Sequence, residues 1–196
     1  MPVVADLLSG YQPRDEAEAT DVARIRELVS TAEDPWHRST PLHITASAVV
    51  VHPDSGRVLL RWHERQQAWL QVGGHGDPGE TDPVEVALRE GREETGLEDL
   101  VPWPDASLVH AVIVPVAPKG DEPAHQHADL RFVLATAEPE AARPEKPDAP
   151  LRWLTLPEAH ELAERPNIRE TLTRVGLRLR GFDPHTPTEG NPPDPL

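Results

Sequence analysis

The sequence has no cysteine and only two lysines among its 196 residues. Without cysteine there is no disulfide, no thiolate metal site and no cysteine nucleophile. Positive charge is scarce overall: 19 Lys and Arg stand against 34 Asp and Glu, a net charge of −15. Such a chain does not bind nucleic acid through a broad basic face, and a phosphate compound bound to it needs cations in between. No apolar run approaches the ~18 residues that cross a bilayer, so no membrane span is expected. The start, "MPVVADLLSGYQPRDEAEAT", lacks a basic segment followed by an apolar one. No secretory signal is read there, and a cytoplasmic protein is the expectation. What is present is 37% hydrophobic residues, enough over this length for one domain with a core of its own.

Residues 1–40 read as an N-terminal helical arm. Within "DEAEATDVARIRELVSTAED", Val22, Ile25, Val29 and Ala32 recur at helical spacing before "DPWHRSTP" breaks the pattern. Residues 41–182 read as the main domain, and residues 183–196 as a proline-rich tail with the composition of disorder. In the domain, "LHITASAVVVH" (42–52), "RVLLRWHE" (57–64), "AWLQV" (68–72), "SLVHAVIVPVA" (107–117), "ADLRFVLATA" (128–137) and "LRWLT" (151–155) read as strands. "LPEAHELAERP" and "IRETLTRVGLRLRG" read as helices. Strands and helices mix without strict alternation, so the expected class is α+β, a mixed sheet sandwiched by helices.

The stretch "GGHGDPGETDPVEVALREGREETGL" is a glycine-rich loop followed by an acidic helix over 82–95. Asp82 can cap its start, Pro83 suits the first helical position, and Gly96 suits the left-handed residue at its end. Val84, Leu88, Gly91 and Thr95 form the stripe expected to face the sheet. Glu90, Glu93 and Glu94 lie at i, i+3 and i+4 on a different face, so their oxygens converge. Like charges at that spacing weaken a helix. Converging carboxylates without thiols suit a hard divalent cation, Mg²⁺ or Mn²⁺, which offsets the repulsion. Arg89 lies one turn before Glu93 and can orient a carboxylate.

These residues resemble the Nudix box, G-x5-E-x7-R-E-U-x-E-E-x-G-U with U apolar. Gly74 takes the first glycine, Glu80 the first glutamate, Arg89-Glu90 the R-E pair, Glu93-Glu94 the E-E pair and Gly96-Leu97 the end. Two places depart from the pattern. Eight residues rather than seven separate Glu80 from Arg89, and Gly91 stands at the apolar place after R-E. The stretches "WLQVGGH" and "EPAHQHADLRF" are similar to a bacterial subgroup of these proteins with GGH before the box helix. The resemblance implies a Nudix-type α/β/α sandwich and hydrolysis of the pyrophosphate bond in a nucleoside diphosphate linked to another group X, usually with Mg²⁺ or Mn²⁺. It implies that Glu90, Glu93 and Glu94 ligate the metal and serve catalysis, that Gly74 adds its carbonyl, and that Arg89 fixes a glutamate from behind. The expected partner is a small nucleoside diphosphate derivative.

Further candidates surround the box. If "HQHAD" enters a strand, His125, His127 and Asp129 share one face at period two. Asp129 is then a further metal ligand or base, and the histidines serve proton transfer or phosphate binding; a plain polar edge is the alternative. His75 sits in the box loop beside the expected metals. Arg61, Trp69 and Gln71, on the preceding hairpin, are candidates to hold a phosphate or stack a base, though a tryptophan placed like Trp69 is more often core. Trp36, Trp62, Trp103 and Trp153 read as packing residues. The arm either covers the pocket or forms a homodimer contact. Among competing readings, an isopentenyl diphosphate isomerase relies on a cysteine that this chain lacks. The alternative function is a catalytically weak Nudix-fold protein that binds a nucleotide-type ligand as a sensor or scaffold. The intact R-E and E-E pairs favour activity.

Overall fold

Branched apolar residues prefer the pleated backbone, and "LHITASAVVVH" forms the central strand β1 (Leu42–His52). The computed structural model describes residues 2–181, so the expected tail over 183–196 lies outside the described residues. β1 pairs in parallel with β7 (His125–Ala135), in register from Leu42 opposite Gln126 to Val51 opposite Ala135. Two antiparallel strands then share the other edge of β1. β4 (Val72–His75) pairs with its first half and β2 (Arg57–His63) with its last residues. β7 is treated the same way: β6 (His110–Val116) pairs with its first half and β5 (Val101–Pro102) with its end. β3 (Ala68–Leu70) and β8 (Leu151–Leu154) both pair with β2, completing a mixed sheet of eight strands among the described residues.

Two strand expectations are corrected and one further strand appears. "AWLQV" is not one strand but divides at Gln71, because β3 pairs with β2 while β4 crosses over to β1. β7 starts at His125 rather than at residue 128, since its first residues bond to β6 on one side and the Gln126 N–H donates to the Pro41 carbonyl at 2.7 Å on the other. β5, two residues long, carries too little pattern to be read from sequence.

Helices cover both faces. α3 (Pro83–Thr95) lies on one face, where Val86, Ala87 and Leu88 join Ile44, Ala46, Ala48 and Val50 of β1 and Leu130, Phe132 and Leu134 of β7 in one core. α4 (Leu156–Leu162) and α5 (Pro166–Gly181) lie on the other, where Leu172 and Val175 meet Val49, Val51 and Val133. The period-two alternation of β1 and β7 thus feeds two cores. One consequence positions the site. On the α5 face only the distal ends of β1 and β7 are apolar, whereas their first halves present His43, Thr45 and Ser47 beside His127, Asp129 and Arg131.

The N-terminal arm is two helices, α1 (Pro2–Ser9) and α2 (Glu16–Thr31), and its Val4, Leu8, Val22 and Ile25 join the α3-side core. It blunts the exposed edge of β6, where unpaired N–H groups would otherwise invite another strand. The Ile113 N–H donates to Asp21 at 2.9 Å and the Ala111 N–H to the Tyr11 hydroxyl at 3.3 Å. Arg174 of α5 anchors the arm by donating to both carboxylate oxygens of Glu18, at 2.6 and 2.8 Å. Tyr11 also donates to Glu18. Burial pushes the Glu18 carboxyl up, but Arg174, Tyr11 and the Arg14 N–H outweigh it and hold it down to about 2.

Candidate active site

α3 begins where Asp82 accepts the Val84 N–H at 2.9 Å and ends where Gly96 adopts a left-handed φ of 67°. Its Gly91 sits so close to the sheet that a β-carbon there would come within 2.9 Å of Leu100. This close seating changes one expectation: Glu94 does not share an outer face with its neighbours but points toward the sheet. Side-chain exposure of 11% for Glu94, 16% for Glu90 and 55% for Glu93 grades the three carboxylates from interior to surface.

Arg89 is the hub of this cluster. It donates to Glu80 through Nε at 3.0 Å and Nη2 at 3.0 Å, to Glu90 at 3.0 Å, to Glu93 at 3.2 Å and to the His75 carbonyl at 2.8 Å. The longer spacing before Arg89 is absorbed by a turn over residues 77–80. There the Glu80 N–H donates to the Asp77 carbonyl at 2.9 Å and the Asp77 N–H to the Glu80 carboxylate at 2.7 Å. The turn returns Glu80 to Arg89, whose hydrogen bonds hold its carboxyl below the usual range.

Glu94 sits between β2 and β4. It accepts the Gly73 N–H at 3.1 Å and meets the Arg61 guanidinium at 3.0 Å. Gly73 adopts φ 145°, and any side chain there would overlap Ser47, so the backbone alone passes between β1 and α3. Gly74 is equally constrained, because a β-carbon would lie 2.6 Å from the Glu90 carboxylate. Burial pushes Glu94 up to about 7 and raises Glu90, despite Arg61 and Arg89 beside them. An all-oxygen donor set without thiol or imidazole, with Glu90 and Glu94 raised by burial, is chemically fitted to a hard dication.

On the opposite side of β4 lies a cleft of about 170 Å³. Thr45, Ser47, Gly73, Gly74, His75, His127, Asp129 and Arg131 line it from the sheet, and Arg165, Asn167 and Ile168 from the α4–α5 end. The three glutamates do not line it; Gly73 and Gly74 form the wall between cluster and cleft. Asp129 is buried, and its oxygens accept from Thr45 at 3.0 Å, Ser47 at 3.0 Å, Arg131 at 2.8 Å and Gln71 at 3.4 Å. Burial raises this carboxyl, yet Arg131 and the two hydroxyls outweigh it and keep it low. These hydrogen bonds fix the carboxylate of Asp129 beside the cleft, next to Arg131 and Gln71.

The other expected contacts divide. His75, His127 and Gln71 reach the cleft. Arg61 faces the glutamates instead. Trp69 lies outside the cleft, edge-on to Trp62 at 5.7 Å with Arg152 stacked 4.7 Å over its ring. His125 and His127 meet His43 and His75 rather than the glutamates: Nε2 of His125 lies 3.1 Å from Nε2 of His127, and Nε2 of His75 lies 3.1 Å from Nε2 of His43. Burial, reinforced by neighbouring imidazoles, pulls His75 down to about 3 and His127 to about 4 and lowers His43, so these rings are neutral. Sequence reading missed His43, Arg131, Arg165 and Asn167. The first two had a signal, since His43, Thr45 and Ser47 interrupt an apolar strand at period two and Arg131 extends His125, His127 and Asp129 by one more step.

A NUDIX domain model matches residues 41–175 of this chain. A probable DHNTP pyrophosphohydrolase of Lactococcus lactis subsp. cremoris is 33% identical over 122 residues, 61% of this chain and 68% of the relative. The fold is similar to that of a C. elegans Ap4A hydrolase binary complex, with TM-score 0.57 and 22% identity over 71% of this chain and 98% of that one. It is also similar to that of the E. coli dihydroneopterin triphosphate pyrophosphohydrolase, with TM-score 0.53 and 20% identity over 68% of this chain and 94% of that one.

Proposed function

Because the chain belongs to the Nudix hydrolase family, we propose that it cleaves the pyrophosphate bond of a nucleotide-type substrate, a nucleoside diphosphate linked to a group X, with Mg²⁺ or Mn²⁺ held by Glu90, Glu93, Glu94 and the Gly74 carbonyl. The observation that carries this reading is the convergence of the three glutamates on Arg89 and on the Gly73–Gly74 backbone, directly behind the cleft wall. When bound, a divalent cation neutralises phosphoryl oxygens and lowers the pKa of an attacking water.

The chain's own residues do the positioning. Arg89 fixes Glu90 and Glu93 while Glu80 holds Arg89, so the carboxylates are aimed before substrate arrives. Arg61 and the Gly73 N–H fix Glu94 in the same way. Arg131 and Arg165 bring positive charge to the cleft of a strongly acidic protein, which favours a phosphate chain there. Gln71 Oε1 and Asn167 Oδ1 are buried without a hydrogen-bond partner, and both residues line the cleft. Two such acceptors suit a heterocycle that offers N–H donors, since leaving them unpaired is costly.

The test is a panel of pyrophosphate compounds: dihydroneopterin triphosphate, Ap4A, ADP-ribose, NADH, nucleoside triphosphates and nucleotide sugars, assayed for released phosphate species with Mg²⁺ or Mn²⁺. Metal-dependent turnover of at least one compound is expected. If none is turned over while one binds the metal-loaded protein tightly, the chain is a nucleotide sensor and the hydrolytic reading fails.

A further inference from the structure

Four histidines from three strands meet at the cleft end of the sheet, and the glutamate cluster uses none of their side chains. His43 leads β1, His125 and His127 lead β7, and His75 ends β4. The ring centroids of His75 and His127 are 4.8 Å apart, those of His43 and His127 5.0 Å, and those of His125 and His127 5.0 Å. One ligating nitrogen from each of His43, His125 and His127 lies within 4.8 Å of the others.

The tautomers follow from the neighbours. His43 Nδ1 faces the Thr40 carbonyl at 2.9 Å and His125 Nδ1 faces the Pro123 carbonyl at 2.9 Å. A carbonyl only accepts, so in its neutral form each ring carries its proton on Nδ1 and leaves Nε2 bare. Those bare nitrogens are the ones that point inward, to Nε2 of His75 and Nε2 of His127. An imidazole whose outer N–H is held by a carbonyl and whose inner nitrogen is free is oriented as metal-bound histidines are. The two inner pairs are each 3.1 Å apart, close to the ~3.3 Å between ligands of a tetrahedral ion with metal–nitrogen bonds of about 2.0–2.1 Å.

We propose that His43, His125 and His127, with His75 at a fourth position, bind a transition-metal dication of the zinc class. An all-imidazole set suits zinc, cobalt, nickel or copper and disfavours Mg²⁺, which the oxygen-only cluster takes instead. The two sites would be joined through one residue, because the carbonyl of His75 accepts from Arg89. A dication here ties the start of β1, the start of β7 and the end of β4 together at the mouth of the cleft. The assignment does not depend on the hydrolytic reading.

The full chain, produced without a histidine tag and stripped with chelator, is titrated with Co²⁺ and with Zn²⁺ in excess Mg²⁺, which occupies carboxylates but not imidazoles. One equivalent of Co²⁺ with the visible absorption of nitrogen coordination is expected. In His125→Gln/His127→Gln affinity should fall by at least about 100-fold, whereas Glu93→Gln should bind Co²⁺ as the wild type does. A wild type that binds no equivalent in excess Mg²⁺, a histidine variant that keeps its affinity, or a Glu93→Gln protein that loses it would each overturn the proposal. Nitrogen-15 spectra of the wild-type imidazoles supply a check that needs no variant. Zinc should move the Nε2 resonances of these rings, and unmoved resonances would count against the site.

Discussion

Glu94→Gln is expected to lower metal-dependent turnover by roughly 10²–10³-fold, the scale of losing one preorganised electrostatic group. It should also make the metal-free protein more stable than the wild type above pH 7. The second effect follows from the burial that pushes Glu94 up to about 7 from 4.5. A carboxyl raised in the folded state contributes its stability below the unfolded pKa and loses it as pH rises through the folded pKa. Below about 4.5 the wild-type carboxyl is protonated in both states and resembles the amide. Between 4.5 and 7 its ionisation increasingly opposes folding, up to about 3 kcal/mol at ~1.4 kcal/mol per unit. The neutral histidines titrate alike in both proteins and cancel in the difference. Urea unfolding of both proteins in chelator at pH 5 and pH 8 reads the effect directly. The variant's advantage should be small at pH 5, largest at pH 8 and reversed by millimolar Mg²⁺ or Mn²⁺, which stabilises only the protein that binds it. An advantage of the same size at both pH values would show that the Glu94 carboxyl ionises normally.

Arg174→Met is expected to cost about 3–5 kcal/mol, because it leaves the Glu18 carboxylate buried without its partner. Side-chain exposures of 2% and 4% for Arg174 and Glu18 place both charges out of bulk water. The loss should be concentrated in the arm, and proteolysis within α1 and α2 should accompany it. Glu18→Gln/Arg174→Met removes both charges and should recover most of the stability, since a vacant buried ion pair costs less than a broken one. Thermal melts of the two proteins at pH 7 decide this. Equal melting temperatures would mean that shape rather than charge holds the arm. Acid should act in the same direction as the single variant: the stability from Glu18 is present above its unfolded pKa near 4.5 and is lost as pH falls toward 2.

The box helix was legible because local chemistry decides it. Its cap, its first-turn proline, its terminal glycine and its R-E and E-E pairs all lie within one short stretch, and they name the family as well as the helix. β1 was legible for a similar reason, as its branched residues leave little choice of conformation. The departures arise where partners far apart in sequence set the outcome. The direction of Glu94 depends on how closely Gly91 lets α3 approach the sheet. The division at Gln71 depends on which strand each half pairs with. Asp129 stands at the expected period, but the β1 hydroxyls that hold it are far away in sequence and become its neighbours only through the β1–β7 pairing. The histidine cluster shows both sides. His125 and His127 were visible by period, whereas His43 and His75 join them only because β1 pairs with β4 on one side and β7 on the other.

The glutamates of α3 are the proposed place where the pyrophosphate bond is broken. The most direct measurement takes a single compound turned over by the wild type and follows its rate against Mn²⁺ concentration in the wild type and in Glu93→Gln. Glu93 is the most exposed of the three, so its replacement leaves the fold intact while removing a proposed ligand. A higher Mn²⁺ requirement together with a maximal rate at least about tenfold lower is predicted. Superimposable curves would place the metal and the chemistry elsewhere and contradict the account.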